Sequence, residues 1–327
     1  MPIGGESTLA DPPVLPDDLS SQAFKQDPFP TLARMRQLGP VIRARLPPFR
    51  TVWLTTTHAG AHDLLRDHRR FVTSPATAGN RVMSAIIRWL PRALQPLSTN
   101  MLLRDEPDHR RLRHLVERAF RVRSVEALRP RLEALADEAA DGLQREASRA
   151  AHGIDLLAHF ARPFPLAVIC ELLGLPPEDR PKFTRWAARF STASSFLGIV
   201  GFLHGMAKTM RYLRQEIARQ TDHPRDGLLA ALIQAEEAGD RLTEDELVAM
   251  VFLLLVAGHE TTLHQITGSV LLLLDHPEQL HTLTADWTLA ESAVRSCSDI
   301  CRSRRSPSRG SLVKTARSRA DPCVADR

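Results

Sequence analysis

The sequence is poor in aromatic side chains, which make up 5% of its 327 residues and include a single tyrosine. Proteins that bind single-stranded nucleic acids stack bases on such side chains, so this scarcity argues against that function. The first residues also lack the basic start and the apolar run of a signal peptide or membrane anchor. We therefore expect a cytoplasmic protein that binds neither nucleic acid nor a membrane.

Cysteine is scarce as well. Cys170 lies in an apolar segment, whereas Cys297, Cys301 and Cys323 lie close to the end of the chain, so no disulfide framework is predicted. The net charge is +5, but residues 295–327 alone hold eight arginines and one lysine against three aspartates. The basic excess belongs to this tail, and the remainder of the chain is close to neutral.

A hydrophobic content of 43% and a charged content of 25% provide for a large buried core. Two apolar stretches, 41–46 and 51–57, predict a β-hairpin. Helical spacing then predicts segments near 58–67, 81–95, 106–120, 124–148, 164–174, 180–192, 199–220 and 226–238. The fold class is therefore mainly α with a small β-sheet.

Apolar periodicity also defines the domain limits. Residues 1–20 are Pro-rich and predict an irregular N-terminal segment, and residues 21–294 predict one folded domain. From residue 295 onward the chain is rich in Ser and Arg and has almost no apolar periodicity. We expect residues 295–327 to form a disordered basic tail.

The longest predicted helix begins at Thr243, where Thr243 and Glu246 form a capping-box pattern, and continues to about Asp275. Its stretch 247–257 is apolar or small throughout, so the helix is predicted to be buried on all sides. Eleven such residues are too few to span a bilayer. The pattern is typical of a core helix in a large domain.

The helix contains an abrupt change at AGHETT, residues 257–262. A flat ligand against the helix would explain Gly258, because the missing side chain lets a ligand approach the backbone. The Thr261 hydroxyl can donate a hydrogen bond to the carbonyl of Ala257, which opens a polar notch. Glu260 could then supply protons to that notch. The alternative is that Gly258 permits close helix packing and that Glu260 faces solvent.

A second group of functional side chains lies in DEPDHRRLR, residues 105–113. His109 and Arg113 are four residues apart on a predicted helix and share a face. Together they could clamp a ligand carboxylate, with the guanidinium providing a planar fork. The alternative is a solvated basic face, since further arginines crowd the same helix.

These segments resemble the cytochrome P450 family, the heme-thiolate monooxygenases, in its soluble bacterial form. The similarity spans about residues 20–294 and is strongest in LVAMVFLLLVAGHETT, RDEPDHRRLRHLVERAF and LDHPEQL. It implies the cytochrome P450 fold, a heme cofactor, an apolar small-molecule substrate and a ferredoxin-type electron donor.

The resemblance also implies roles for the cofactor-binding residues. His109 and Arg113 match the clamp on the heme propionates. Ala257 and Gly258 match the small residues over which heme and oxygen lie, and Thr262 occupies the adjoining position. Glu260 and Thr261 match the catalytic acid and alcohol that deliver protons to the oxygen.

The family's iron ligand does not match this chain. It is a cysteine thiolate in a Phe-x-x-Gly-x-x-x-Cys-x-Gly loop, and its electron donation favours cleavage of the oxygen–oxygen bond. Around Cys323 the positions expected to be Phe, Gly and Gly hold Ala316, Arg319 and Ala325. We therefore assign no metal ligand.

The family's Glu-x-x-Arg pair is missing as well, because Arg295-Ser296-Cys297-Ser298 follows Val294. A change of reading frame would explain both differences. Permitted codons for residues 294–301, read one nucleotide earlier, can encode Glu-Glu-Leu-Leu-Arg-Tyr-Leu. We therefore expect a family member that is truncated or frameshifted after about residue 294 and inactive as written.

Two function classes follow from these observations. The first is a heme-dependent monooxygenase that inserts one oxygen atom from O2 into an apolar organic substrate. The second is a non-catalytic helical remnant that binds a ligand or a partner.

Overall fold

The computed structural model describes residues 11–46, 49–122, 126–149, 153–190, 196–237 and 240–302. Helices dominate these residues, and the strands form two small antiparallel sheets. The prediction of a mainly α fold with a small β-sheet is therefore confirmed.

The elements follow one another as predicted, with boundaries that differ by a few residues. The α-helices are α1 Gln22–Gln26, α2 Phe29–Leu38, α3 His58–Arg66, α4 Arg81–Arg88, α5 Asp108–Val122, α6 Arg129–Arg149, α7 Pro163–Leu173, α8 Arg180–Phe190, α9 Phe196–Asp222, α10 Leu228–Gln234, α11 Glu244–Asp275, α12 Pro277–Ala285 and α13 Ala290–Arg302. The strands are β1 Val41–Leu46, β2 Phe49–Thr55, β3 Glu236–Glu237 and β4 Asp240–Arg241. Helix α4 ends before Pro91, and the 3-10 turn Arg92–Thr99 follows it.

The chain divides into two compact units. The hairpin unit comprises Met1–Phe71 and Gly268–Arg327, and the helical unit comprises Val72–Thr267. In the hairpin unit β1 pairs with β2 in antiparallel register, with Val41 opposite Thr55, which confirms the predicted hairpin. Ile42 and Ala44 point from one face of β1 into a small core.

The helical unit has the larger core, which is built from α5, α7, α9, α10 and the first half of α11. Its fully buried side chains include Leu115, Leu173, Met210, Leu213, Leu228, Leu232 and Val248. These residues recur at helical spacing on each element, so each helix contributes one apolar face to the common core.

The predicted capping box is present at the start of α11. The Glu246 carboxylate accepts a hydrogen bond from the Thr243 amide at 2.8 Å, and the Thr243 hydroxyl accepts one from the Glu246 amide at 3.3 Å. Both bonds satisfy amides that a helix start otherwise leaves without partners. Burial of α11 is uneven, because residues 246–252 are buried whereas most of the residues after Val256 are partly or fully exposed. By length and composition α11 could cross a membrane, a test that core helices of soluble proteins also pass.

A close backbone junction joins α7, α9 and α10. Gly174 ends α7 in the left-handed conformation, at a φ of 72°. A Cβ atom on Gly227, which precedes α10, would lie 2.6 Å from the Gly174 Cα. Gln220 of α9 donates hydrogen bonds to the Gly174 carbonyl and to buried Glu216, both at 3.1 Å. Arg225 also donates to Glu216, at 3.1 Å, so the junction is held by charge as well as by packing.

The prediction that order ends at residue 294 is wrong for residues 295–302, which continue α13. Within residues 290–299 of this helix, Cys297 is buried and Ala290, Ala293, Ser296 and Ser298 are half-buried, and the spacing of Ala290, Ala293 and Cys297 keeps one face turned inward. Cys297 packs against Leu271 and Leu272 of α11. The inward face of this helix is formed by small side chains. Its helical periodicity is therefore not detected when only large apolar residues are counted. The remainder of the predicted tail lies outside the described residues.

Candidate functional site

The AGHETT segment forms one turn of α11, and its polar notch has the predicted hydrogen bond. The Thr261 hydroxyl donates to the Ala257 carbonyl at 2.6 Å. This carbonyl is thereby drawn toward the side chain four residues later, an arrangement that bends helices. Ala257 and Thr261 consequently share one face of α11.

That face is exposed in the structure, which corrects the expectation of a fully buried helix. Ala257, Glu260, Thr261 and Thr262 are all exposed, and 69% of the Glu260 side chain is accessible. The His264 side chain lies beside Glu260, with its Nε2 3.9 Å from the carboxylate. Because Glu260 is exposed, its carboxylate does not need a buried partner. This agrees with the alternative interpretation of the motif, in which Glu260 faces solvent.

Gly258 faces a different neighbour. A Cβ atom at this position would lie 3.1 Å from Cδ1 and 3.4 Å from Cγ1 of Ile169, on α7. The missing side chain thus permits close packing of α11 on α7, which is the alternative role considered for this glycine. Of the two small residues, Ala257 alone lies on the exposed face with Thr261.

His259 connects α11 to the turn before α7. Its Nε2 lies 3.2 Å from the Arg162 carbonyl, so the neutral ring donates a hydrogen bond there. Burial lowers the pKa of His259 below the ordinary histidine value of 6.5, and this exceeds the opposite effect of the hydrogen bond to Arg162. The neutral ring is therefore the form that the folded protein favours.

We expect His259 to make the unfolding free energy depend on pH. Because its folded-state pKa is lowered, its contribution is complete above about pH 6.5 and is lost as the pH falls through the folded value. His259→Gln keeps an N–H donor for Arg162 but does not titrate. The free energy of unfolding of the wild type should therefore fall relative to this variant in urea titrations on acidification.

His281→Gln provides the control for this experiment, because the His281 side chain is exposed on α12 and is not among the groups that shift the pKa of His259. It should leave the pH dependence of the wild type unchanged. Parallel pH profiles for wild type and His259→Gln would contradict the assignment to His259.

The proposed propionate clamp lies on α5. His109 and Arg113 share a face there, but each already has an acidic neighbour on or beside its own helix. His109 Nδ1 lies 3.6 Å from a Glu106 oxygen, and Arg113 Nε donates to Glu117 at 2.8 Å. Within the described residues no hydrogen bond or ion pair joins either side chain to the α11 motif. The Arg113 side chain is 62% exposed and free to exchange partners.

Arg111 is a positioning residue that the sequence interpretation missed. It donates to Glu246 of the capping box and lies 3.4 Å from Asp240, so it ties α5 to the start of α11. The spacing held a signal, since Arg111 precedes buried Leu115 by four residues and therefore lies on the inward side of α5. The interpretation of the α5 arginines as one solvated basic face did not separate Arg111 from the exposed ones.

Asp105 is a second missed residue, immediately before α5. Its carboxylate accepts hydrogen bonds from the Thr73 and Ser74 amides at 2.6 and 3.2 Å. Burial raises the pKa of Asp105, but the hydrogen bonds from the Thr73 and Ser74 amides together with those from the Thr77 and Thr73 side chains hold it below its usual value. Asp105 thereby ties residues 73–74 to the start of α5.

The two cysteines whose side chains the structure describes, Cys170 and Cys297, do not fit the family's iron ligand. Cys170 is fully buried in the core of the helical unit, and burial raises its pKa to about 12. Cys297 is buried against α11, and burial raises its pKa too. Both sulfurs are enclosed by neighbouring side chains of the described helices, so neither is presented to a cofactor in this structure. The described residues also contain no group of three or more His, Cys, Asp or Glu side chains arranged to hold a metal.

Comparison with known proteins identifies relatives across most of the chain. Residues 190–298 match the family model described as Cytochrome P450. Cytochrome P450 monooxygenase PikC of Streptomyces venezuelae is 38% identical over 295 residues, which cover 88% of this chain and 66% of PikC. Cytochrome P450 107B1 of Saccharopolyspora erythraea is 40% identical over 86% of this chain and 67% of its own length.

The fold agrees with solved structures of this group. The Bacillus subtilis polyketide synthase cytochrome P450 PksS superposes with a TM-score of 0.72 at 30% identity, over 85% of this chain and 67% of PksS. The chain thus spans about two thirds of the length of the relatives it matches. Similarity of this extent in sequence and fold establishes that the chain belongs to the cytochrome P450 family.

Proposed function

We propose that this chain derives from a monooxygenase that inserts one oxygen atom from O2 into an apolar organic substrate. The observation that carries the proposal is the α11 turn, where the Thr261 hydroxyl bonds to the Ala257 carbonyl beside the Glu260 carboxylate. PikC, a relative that is 38% identical, is named a monooxygenase. An acid and an alcohol on one exposed turn are suited to moving protons to an oxygen above it.

Each residue of this turn has a separate role in the proposal. Glu260 exchanges protons with solvent, since it is exposed, and Thr261 holds the next proton at its Oγ1. Ala257 leaves space for a flat group over the turn, and Thr262 borders that space. Gly258 acts indirectly, because it lets α11 approach Ile169 and so fixes the height of the turn.

Heme is the cofactor of this family, and the described residues fit only part of it. His109 and Arg113 supply two donors for carboxylates, once Arg113 releases Glu117. Cys170 and Cys297 do not fit as thiolate ligands, for the reasons given above. We therefore propose that a chain of this sequence does not turn over substrate.

The remaining elements of the proposal concern location and partners. We propose that the protein is cytoplasmic and receives electrons from a ferredoxin-type donor. We also propose that it binds neither nucleic acid nor membrane, in agreement with the composition of the chain.

The hypothesis of a frame change near Val294 is tested by reading the gene across codons 290–305 and onward. A single-base correction that restores Glu-x-x-Arg and a cysteine loop would support it, and an unbroken frame encoding the printed residues would reject it.

Heme addition followed by a carbon monoxide difference spectrum of the reduced protein tests the state of this chain. We expect no red-shifted thiolate band. We also expect Arg113→Gln to weaken heme binding about tenfold, the effect of losing one charged hydrogen bond. Arg118→Gln, on the same helix, is the matched control and should have no effect. A thiolate band in the printed chain would contradict the proposed loss of turnover.

A second function is favoured by the burial of Cys170 and Cys297. In this alternative the chain is a non-catalytic helical remnant that binds a ligand or a partner. It predicts that heme affinity depends on His109 and Arg113. It also predicts that this affinity stays the same after the reading frame is corrected. Turnover of substrate by a frame-corrected chain, supplied with ferredoxin and reductant, would reject it.

A further inference from the structure

A groove lies on the helical unit, and no residue of the α11 turn is among its described lining residues. It has a volume of about 580 Å³ and is bounded by one face of α6, the start of α7 and the start of α8. Its apolar lining includes Leu135, Ala139, Phe164 and Leu166. The volume falls in the range of small-molecule sites, which are mostly apolar with a few convergent polar groups.

Small side chains on α6 create the depth of the groove. Leu135, Ala139 and Gly142 follow helical spacing, so they share the face that lines it. A Cβ atom on Gly142 would meet nothing closer than Arg145 Nη2, at 3.8 Å. The space over Gly142 is therefore open, in contrast to Gly258 and Gly227, whose missing side chains are replaced by neighbouring atoms.

The polar side chains of the groove are mainly arginines. Arg145 and Arg185 are exposed at its edge, and within the described residues neither forms an ion pair. Other arginines of this region are engaged, since Arg131 and Arg180 both lie within 3.2 Å of Glu171. The net charge at the edge of the groove is positive, because Glu138 alone among the described lining residues is acidic, whereas Arg145 and Arg185 are both basic.

Arg180 also lines the groove. Its Nη2 donates to Glu171 at 2.9 Å, while its Nε is buried and has no acceptor among the described residues. A buried donor without a partner costs free energy, and Arg180 is therefore held by its bond to Glu171 and not counted among the groups open to a ligand. An apolar floor and two unpaired guanidinium groups favour an amphipathic anion.

We propose that this groove binds an amphipathic carboxylate, with the apolar part over Ala139 and Gly142 and the carboxylate between Arg145 and Arg185. The planar guanidinium fork suits a carboxylate. The site is separate from the α11 turn, and its existence does not depend on monooxygenase activity. Its ligand would add to, and not compete with, a substrate at α11.

Calorimetric titration of the full chain with sodium octanoate tests the proposal, with octanol as the uncharged probe of equal length. We expect octanoate to bind more tightly than octanol. The double substitution Arg145→Gln and Arg185→Gln should weaken octanoate at least tenfold and leave octanol unchanged. Arg149→Gln is the matched control, because Arg149 lies on α6 outside the groove and pairs with Glu146.

Gly142→Leu provides a second, steric test. Its side chain would fill the open space, and leucine in a helix interior is more favourable than glycine, so the fold should be retained. We expect both probes to lose binding in this variant. Equal affinity for octanoate and octanol, undiminished binding after the arginine substitutions, an equal loss in Arg149→Gln, or no binding at all would overturn the proposal.

Discussion

Replacing Gly227 with alanine is expected to lower the free energy of unfolding by about 3 kcal/mol, at the upper end of the usual cost of overpacking. The new Cβ would lie 2.6 Å from both the Gly174 Cα and the Leu173 carbonyl oxygen. These are backbone atoms, so no side chain can rotate away and α7 and α10 must separate. Urea denaturation followed by circular dichroism measures the loss.

Gly142→Ala is the matched control, since it makes the same chemical change in open space. There the added methyl group should raise the free energy of unfolding by about 0.5–1 kcal/mol, because alanine is the better helix former. The backbone of Gly227 is extended, at a φ of 172°, so the difference between the two variants reports the contact and not backbone strain. Equal effects in both would refute the close approach.

Glu216→Ala should have an effect of similar size, about 3 kcal/mol, the lower limit for breaking a buried ion pair. The Glu216 side chain is fully buried and accepts hydrogen bonds from Gln220 and Arg225. Without it, buried Gln220 loses one acceptor and Arg225 loses its counter-ion. The partial exposure of Arg225 to solvent, 50% of its side chain, keeps the expected loss at this lower limit.

Two further variants separate charge from packing at this position. Glu216→Gln keeps the shape and one acceptor oxygen, so it should lose about half as much stability. Glu133→Ala removes a carboxylate that is 66% exposed and 3.9 Å from Arg129, and should cost less than about 1 kcal/mol. Both losses come from chemical denaturation at one pH. A Glu216→Ala variant as stable as Glu133→Ala would contradict the buried network.

Features set by neighbouring residues could be predicted from the sequence. The Thr243–Glu246 capping box, the hairpin and the Thr261–Ala257 hydrogen bond each depend on side chains within a few positions of one another. Residues that are close in sequence within these elements are therefore also close in the folded structure. The helix boundaries follow for the same reason, because Pro and Gly act on their own backbone.

Features set by distant residues could not be predicted. Gly258 gives no sign in the sequence that Ile169, almost a hundred residues earlier, fills the space beside it. The exposure of Glu260 and the partner of His259 likewise depend on which elements cover α11. A periodic pattern states that a helix face is apolar, but not which neighbour it meets.

The glycine junction was missed for a related reason. Gly174 carries a local signal, since a left-handed residue commonly ends a helix. Gly227 does not, because its extended backbone is open to any residue and its need for glycine arises from the backbone of Leu173 and Gly174. Such a requirement belongs to the pair, and a single sequence displays its members separately.

The division into two units has a consequence for the order in which the protein forms during synthesis. The helical unit is continuous in sequence, from Val72 to Thr267, so all its residues have left the ribosome while the rest of the chain is still being made. The hairpin unit combines Met1–Phe71 with residues from Gly268 onward, and its earlier part must wait on the order of tens of seconds for the later one. A translational pause or frame change after Thr267 therefore leaves the helical unit complete and affects the hairpin unit alone.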